Sequence, residues 1–358
     1  MLLGARATAA ASKAVGGRVR WMSSRGPFEQ AAVSPPPAHE AVPLFHPTLL
    51  KKYRPVRLLG SGAFGHVYSC RVVEQPSAPT VAVKVLPKGK SQHALLEAEL
   101  LAQVDHINVV NFIELIETAD SYNVVTEELH GPELFKVLVE HDCPFDEDRV
   151  LGYVEQMLGA IEACHRRNFA HLDVKLENCV FREADLRSPV VLVDFGAAER
   201  FVRAPYADTS NHYIEGLDDE TRELRREAGT IPYSSPEVVN GFFSSRSDVW
   251  SVGVCMYVML TGRRPFESGR PTPMEAQKSV VRQIKHQGGN RNAPALRLPL
   301  PSDIAASKPV TEFLARLTMG HPAERCSATE ALEILKDLPR YHPCTRLTSA
   351  DAFYFALI

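Results

Sequence analysis

The reading of this chain turns on His171-Leu172-Asp173-Val174-Lys175-Leu176-Glu177-Asn178, the apolar run Val190-Val191-Leu192-Val193, and Asp194-Phe195-Gly196. The first segment places four charged or titratable side chains and an amide within eight positions. It follows residues 150–168, where Val150, Tyr153, Val154, Met157, Ile161 and Cys164 recur at helical spacing. The last segment sets a carboxylate at the end of a buried strand beside a small turn, a good place to hold a cation. One such aspartate alone reads as a turn former. Two clusters in this order ask for a common cause.

Toward the N-terminus, Leu58-Leu59-Gly60-Ser61-Gly62-Ala63-Phe64-Gly65-His66-Val67-Tyr68 contains G-x-G-x-x-G followed by x-V. A dinucleotide fold needs a helix directly after such glycines. Here Val67-Tyr68-Ser69-Cys70-Arg71-Val72-Val73 is β-branched and aromatic and predicts a second strand. After a turn over residues 75–80, Val81-Ala82-Val83-Lys84-Val85-Leu86 predicts a third. The glycines thus fall at a hairpin tip, where backbone amides can close over phosphates without intervening side chains. Lys84 stands in an apolar run, a costly place for a lysine without a partner. Residues 93–104 predict a helix from Leu96, Leu100, Leu101 and Val104, and Glu97 on it can reach Lys84. Glu99 points elsewhere on that helix and reads as solvated.

Taken in order, these segments resemble a eukaryotic-type protein kinase of the serine/threonine branch, over about Val56 to Leu338. Gly60, Gly62, Gly65 and Val67 match the nucleotide-covering loop, Ala82 and Lys84 the V-A-V-K strand, and Glu97 its helix partner. His171-Leu172-Asp173 with Asn178 matches the catalytic loop and Asp194-Phe195-Gly196 the metal-binding D-F-G. Gly229-Thr230, Tyr233 and Ser235-Pro236-Glu237 resemble the end of an activation segment. Asp248-Val249-Trp250-Ser251-Val252-Gly253 resembles the central helix of the large lobe, and Arg325 the late arginine that pairs with the glutamate matched by Glu237.

The resemblance implies an α+β, bilobal protein kinase fold. A small antiparallel-sheet lobe with one helix would cover 53–128, and a larger, mainly helical lobe 129–338. It implies ATP and Mg2+ as cofactors and proteins bearing Ser or Thr as substrates. Lys84, fixed by Glu97, would hold the α/β-phosphates, and Asn178 and Asp194 the metal. Asp173 would accept the proton of the acceptor hydroxyl, and Lys175 would offer a cation to the transferring group. Val124-Val125-Thr126-Glu127-Glu128-Leu129 resembles the hinge, with backbone groups of Glu127 and Leu129 toward adenine and Thr126 as a small gatekeeper. Glu133 joins this nucleotide-binding set. With Glu177 it also resembles positions where calcium/calmodulin-type kinases receive a basic side chain upstream of the acceptor.

Several positions depart from the family pattern. Leu172 replaces the arginine that receives an activation-segment phosphate, which implies independence from that switch. Leu176 and Ile107 stand where proline is frequent, Ser235 where alanine is, and His321 where aspartate is. None removes a reacting group. A catalytically weak pseudokinase scaffold that binds nucleotide is the competing reading. The strand after the glycines disfavours an oxidoreductase.

The flanks read differently. The first 28 residues carry Arg6, Lys13, Arg18, Arg20 and Arg25 and no acid, the pattern of an organelle transit peptide. Mitochondrial import fits best, with plastid and cytoplasmic placement as alternatives. Residues 29–52 read as a proline-rich linker, with folding expected to begin near Tyr53. Residues 215–228 alternate acids with Arg222, Arg225 and Arg226 and suggest a charged helix with Asp218 paired to Arg222. Residues 339–358 form a C-terminal extension with an apolar end, expected to pack on the large lobe. The chain of 358 residues, 45% hydrophobic with net charge −3, suits two lobes and gives no sign of nucleic-acid affinity. Val249 to Leu260 is too short for a bilayer span, which needs about 20 residues. Seven scattered cysteines without a C-x-x-C pair read as free thiols. Oligomeric state is open.

Overall fold

The computed structural model describes residues 45–62, 65–90, 94–140, 144–201, 222–224, 229–266, 273–288 and 298–339. Residues 1–28, read as a transit peptide, most of residues 29–52, nearly all of residues 339–358 and most of residues 215–228 lie outside these. So do Cys143 and Cys344.

Apolar side chains at every second position give the small lobe its sheet. Strands β1 (Tyr53–Gly62), β2 (Gly65–Val72), β3 (Val81–Pro87), β4 (Phe112–Glu117) and β5 (Ser121–Glu127) pair antiparallel in the order β1-β2-β3-β5-β4. Gly62 and Gly65 face each other at the tip of the first hairpin. In β3 the period of two sorts the faces. Val81, Val83 and Val85 join Tyr68, Cys70 and Val125 in one cluster. Leu86 joins Val124 and the Ala94 and Ala98 side chains of helix α2 (Ala94–Leu101) in the other. Lys84 shares the parity of Leu86, so the pleat alone turns it toward α2.

The fold starts earlier than Tyr53. His46 caps helix α1 (Pro47–Leu50), and Pro47 occupies the first turn, where its missing N–H costs nothing. Phe45 and Leu49 are buried in the valine cluster, and Phe45 meets Tyr68 edge-on at 5.0 Å. Pro47, which falls within the expected proline-rich linker, starts a helix, and the end of that linker belongs to the small lobe.

The large lobe is built on α3 (Leu134–Glu140), α4 (Glu147–His165), α5 (Pro236–Val239), α6 (Ser245–Thr261), α7 (Pro273–Gly288), α8 (Lys308–Leu317) and α9 (Ala328–Asp337). Short antiparallel pairs β6 (Phe169–Ala170) with β9 (Glu199–Arg200), and β7 (Cys179–Phe181) with β8 (Val190–Leu192), carry the loops of interest. Helix α6 is buried along nearly its whole surface, opens with a Ser244–Ser247 capping box and stops at Gly262, φ 66°. Glu237 and Arg325 form a buried bidentate pair at 2.7 and 3.1 Å. The Arg325 guanidinium also lies over the Trp250 ring, 5.1 Å from its centroid. The five described cysteines are buried and free. No helix among the described residues is long and apolar enough to cross a membrane.

The expected helix over 215–228 is corrected where it can be seen. Arg222–Glu223 is a strand, β10, pairing antiparallel with β11 (Phe242–Phe243). Charge alternation looks the same on a helix face and on a short ribbon, and here the partner strand decides.

Candidate active site

Lys84 leaves β3 with its side chain 16% exposed and donates to Glu97 Oε1 and Asp194 Oδ1, each at 2.7 Å. Burial opposes the ammonium charge, but the two carboxylates override it and raise its pKa. Burial likewise opposes ionisation of Asp194, and the Lys84 ammonium and its hydrogen bond outweigh that, holding the carboxyl at about 2. Asp194 adopts φ 61° at the end of the loop after β8, and its side chain stays 44% exposed to the cleft. Glu99 is exposed, as its helical position implies, but pairs with Arg200 at 2.7 Å.

Asp173 is held from three directions. Thr230 Oγ1 donates to its Oδ1 at 2.7 Å, and Lys175 Nζ to its Oδ2 at 2.7 Å. Asn178 Nδ2 bonds both its carbonyl oxygen, at 2.9 Å, and Oδ2, at 3.0 Å. Lys175 also donates to Thr230 at 2.9 Å, closing a triangle. With its amide nitrogen so engaged, Asn178 has its carbonyl oxygen to offer a cation. Its backbone C=O accepts from Val193 N–H at 2.9 Å, which places it beside the residue preceding Asp194.

Two further contacts fix this loop. His171 Nδ1 accepts from Asp173 N–H at 3.2 Å, so the proton sits on Nε2, facing the Val193 carbonyl at 3.1 Å. The ring also packs edge-on against Phe195, 4.7 Å between centroids. From below, the fully buried Asp248 carboxylate accepts the backbone N–H groups of His171 and Leu172 and contacts His165 Nε2, all at 2.8 Å. Sequence reasoning placed Asp248 in the central helix but missed this anchoring role. A buried aspartate in an otherwise apolar helix was the available signal.

Leu172 has φ 63° and is buried with Ala170, Phe201, Val238 and Phe243, with Leu224 packed against them. Gly229, φ 79°, lies so close that a Cβ there would sit 2.3 Å from the Leu172 carbonyl oxygen. Where the family pattern has a guanidinium, this chain has an apolar contact tying the catalytic loop to the β10–β11 ribbon. Ser235 caps α5 through Val238 N–H, and His321 caps the turn at Pro322–Glu324 through Ala323 N–H. Both departures thus supply a cap.

At the hinge, Ala82 pairs with Thr126 across β3 and β5, and Val67 with Lys84 across β2 and β3. Glu127 N–H is taken by the Asn111 carbonyl at 3.0 Å, and Thr126 Oγ1 donates to the Glu127 carbonyl at 3.1 Å. Among the described residues, no group bonds the Leu129 backbone. Glu133 pairs with Lys136 at 2.7 Å. Glu177 Oε2 and the Tyr233 hydroxyl are buried close to each other, without a hydrogen bond of good geometry. Burial and the nearby Glu177 charge both raise the Tyr233 pKa.

The residues suit a nucleotide with a divalent ion. Gly60 and Gly62 face open space, and Leu129 offers an unused backbone donor and acceptor at the hinge. Asn178 and Asp194 are hard oxygen donors, too few to hold a metal without help from phosphate and water, which is how Mg2+ is commonly bound. No cluster of three or more His, Cys, Asp or Glu side chains among the described residues competes for a metal.

The sequence pattern of the protein kinase domain matches residues 53–335, and the chain belongs to that family. The chain is similar to a calcium/calmodulin-dependent protein kinase, cmkA, of Emericella nidulans, at 30% identity over 78% of this chain and 61% of the relative. It is 25% identical to calcium-dependent protein kinase 4 of Plasmodium falciparum, over 79% and 49%. It is 28% identical to the serine/threonine-protein kinase SAPK5 of Oryza sativa subsp. japonica, over 81% and 72%. The match thus spans about half to three-fifths of the first two relatives. The α+β bilobal fold follows from the family and from the sheet and helices above.

Proposed function

We propose that the protein is a serine/threonine protein kinase that uses ATP with Mg2+. The observation that carries this is Lys84 gripping Glu97 and Asp194, with Asp194 directly following Val193, whose N–H bonds the Asn178 carbonyl of the Asp173–Lys175–Asn178 loop. Bound Mg-ATP would supply the phosphoryl group and the metal's positive charge. Lys84 holds phosphate oxygens, with Glu97 keeping the ammonium in place. Asp194 and the Asn178 carbonyl oxygen take the metal. Asp173 orients the acceptor hydroxyl and takes its proton, while Lys175 neutralises charge beside it. Thr230 keeps the Asp173 carboxylate aimed. Each role is a task for a group already held in position, so little reorganisation is needed.

The place of Glu177 beside Asn178 in the catalytic loop supports a preference for Arg or Lys upstream of the acceptor, since a guanidinium pairs well with a carboxylate. Glu133 already gives one oxygen to Lys136 and has the other to offer. The apolar setting of Leu172 supports activity without activation-segment phosphorylation. The cations of the first 28 residues support mitochondrial import. Diffuse fluorescence from a fusion of that segment to a fluorescent protein would count against it.

The test is labelled-phosphate transfer from Mg-ATP to a positional Ser/Thr peptide array, before and after phosphatase treatment. Transfer favouring basic upstream positions and unaffected by phosphatase is expected. An absence of transfer would favour the scaffold. Transfer with no basic preference would remove the role given to Glu177.

A further inference from the structure

Glu128 is a buried acid in the hinge, with its side chain only 1% exposed. Its two oxygens are divided between two strands. Arg57 Nη2 donates to Oε1 at 2.8 Å, and Ser69 Oγ donates to Oε2 at 2.6 Å. Arg57 and Ser69 are cross-strand partners midway along the glycine hairpin, and Ser69 pairs onward with Ala82, which pairs with Thr126. The β1–β2 register shifts on either side of Arg57, between Pro55 and Arg57 and again between Leu58 and Gly60. The ladder is thus irregular on both sides of Arg57. A carboxylate gripping both strands between these irregularities ties them together at that point.

We infer that Glu128 is a positioning residue: by clasping Arg57 and Ser69 it fixes the glycine hairpin over the hinge and so sets affinity for an adenine nucleotide. The inference rests on the nucleotide-binding reading of the cleft. Glu128 touches neither nucleotide nor substrate. It acts through the placement of Gly60 and Val67, which face each other across the same hairpin.

The experiment compares wild type with Glu128→Leu, Arg57→Met and Arg57→Lys. Arg57 is 59% exposed at its side chain and Ser69 still donates to Glu128 when it is replaced, so Arg57→Lys, which keeps the charge, holds the fold even if Glu128→Leu does not. Two readouts are taken: amide exchange of residues 60–67 without ligand, and affinity for a non-hydrolysable ATP analogue beside kcat and KM for ATP. Arg57→Met should speed exchange and weaken the analogue by about tenfold, the scale of a lost charge-assisted hydrogen bond, with kcat at saturating ATP within about twofold. Arg57→Lys should restore most of both. Unchanged exchange, or loosened exchange with wild-type affinity, would overturn the inference. Wild type that binds no analogue, while exchange still responds to Arg57→Met, would sink the nucleotide reading and leave the clasp standing.

Discussion

Two charged clusters made of the same chemistry do different work in this chain. In the large lobe, Glu237 and Arg325 are 3% and 0% exposed at their side chains and fully enclosed. Arg325 also donates to the carbonyls of Met319 and Arg246, and Glu237 accepts from Ser247. Burial opposes the Glu237 charge, and Arg325 overrides it, lowering the pKa. In the cleft, Lys84 is shared by two carboxylates, and Asp194 remains 44% exposed. The first cluster has spent its hydrogen-bonding capacity on itself; the second keeps some for a ligand. Saturation marks a brace, and spare capacity marks a site.

Substitutions should separate the two. Lys84→Met should lower phosphoryl transfer by about 10²–10³-fold, the usual loss for a positioned electrostatic group, with a smaller loss of stability than in the fully enclosed pair. Arg325→Met should do the opposite: it strands the Glu237 charge and should cost about 3–5 kcal/mol by thermal or denaturant unfolding. Leu172→Arg places a guanidinium among Phe201, Val238 and Phe243 and should cost on the order of 2–3 kcal/mol in the same assay. Unchanged stability there would mean that the apolar contact holds nothing.

The smallest effect is on acid stability. Asp194 has its pKa depressed from 3.8 to about 2 on folding. Its contribution is therefore complete above the unfolded value and is lost as pH falls through the folded one. Partial exposure screens it. Between pH 3.8 and about 2, wild type should lose more stability than Asp194→Asn in acid titrations of unfolding. Equal losses would show that folding does not depress the Asp194 pKa.

Much of the cleft was legible in the sequence because its residues are costly where they stand. A lysine in β3 and a chain of polar groups between apolar runs each announce a partner, and the period of two even turns Lys84 toward α2. The hydrophobic positions likewise predicted the strands and α4, with ends off by a few residues because caps such as Asp146 set the boundary. What escaped notice depends on contacts distant in sequence. Asp248 serves a loop more than seventy positions away. Phe45 finds its pocket only once the sheet exists, and Arg222–Glu223 becomes a strand only beside Phe242–Phe243. Glu128 looked like one more hinge residue, since neither spacing nor charge reveals that Arg57 and Ser69 stand opposite each other.

The most direct test pairs two measurements on one preparation of Asp173→Asn: affinity for an ATP analogue with Mg2+, and the rate of phosphoryl transfer to a Ser/Thr peptide. The account predicts wild-type affinity with transfer reduced by about 10²–10⁴-fold, because Asp173 handles the acceptor's proton and not the nucleotide. Transfer equal to wild type at equal affinity would contradict it.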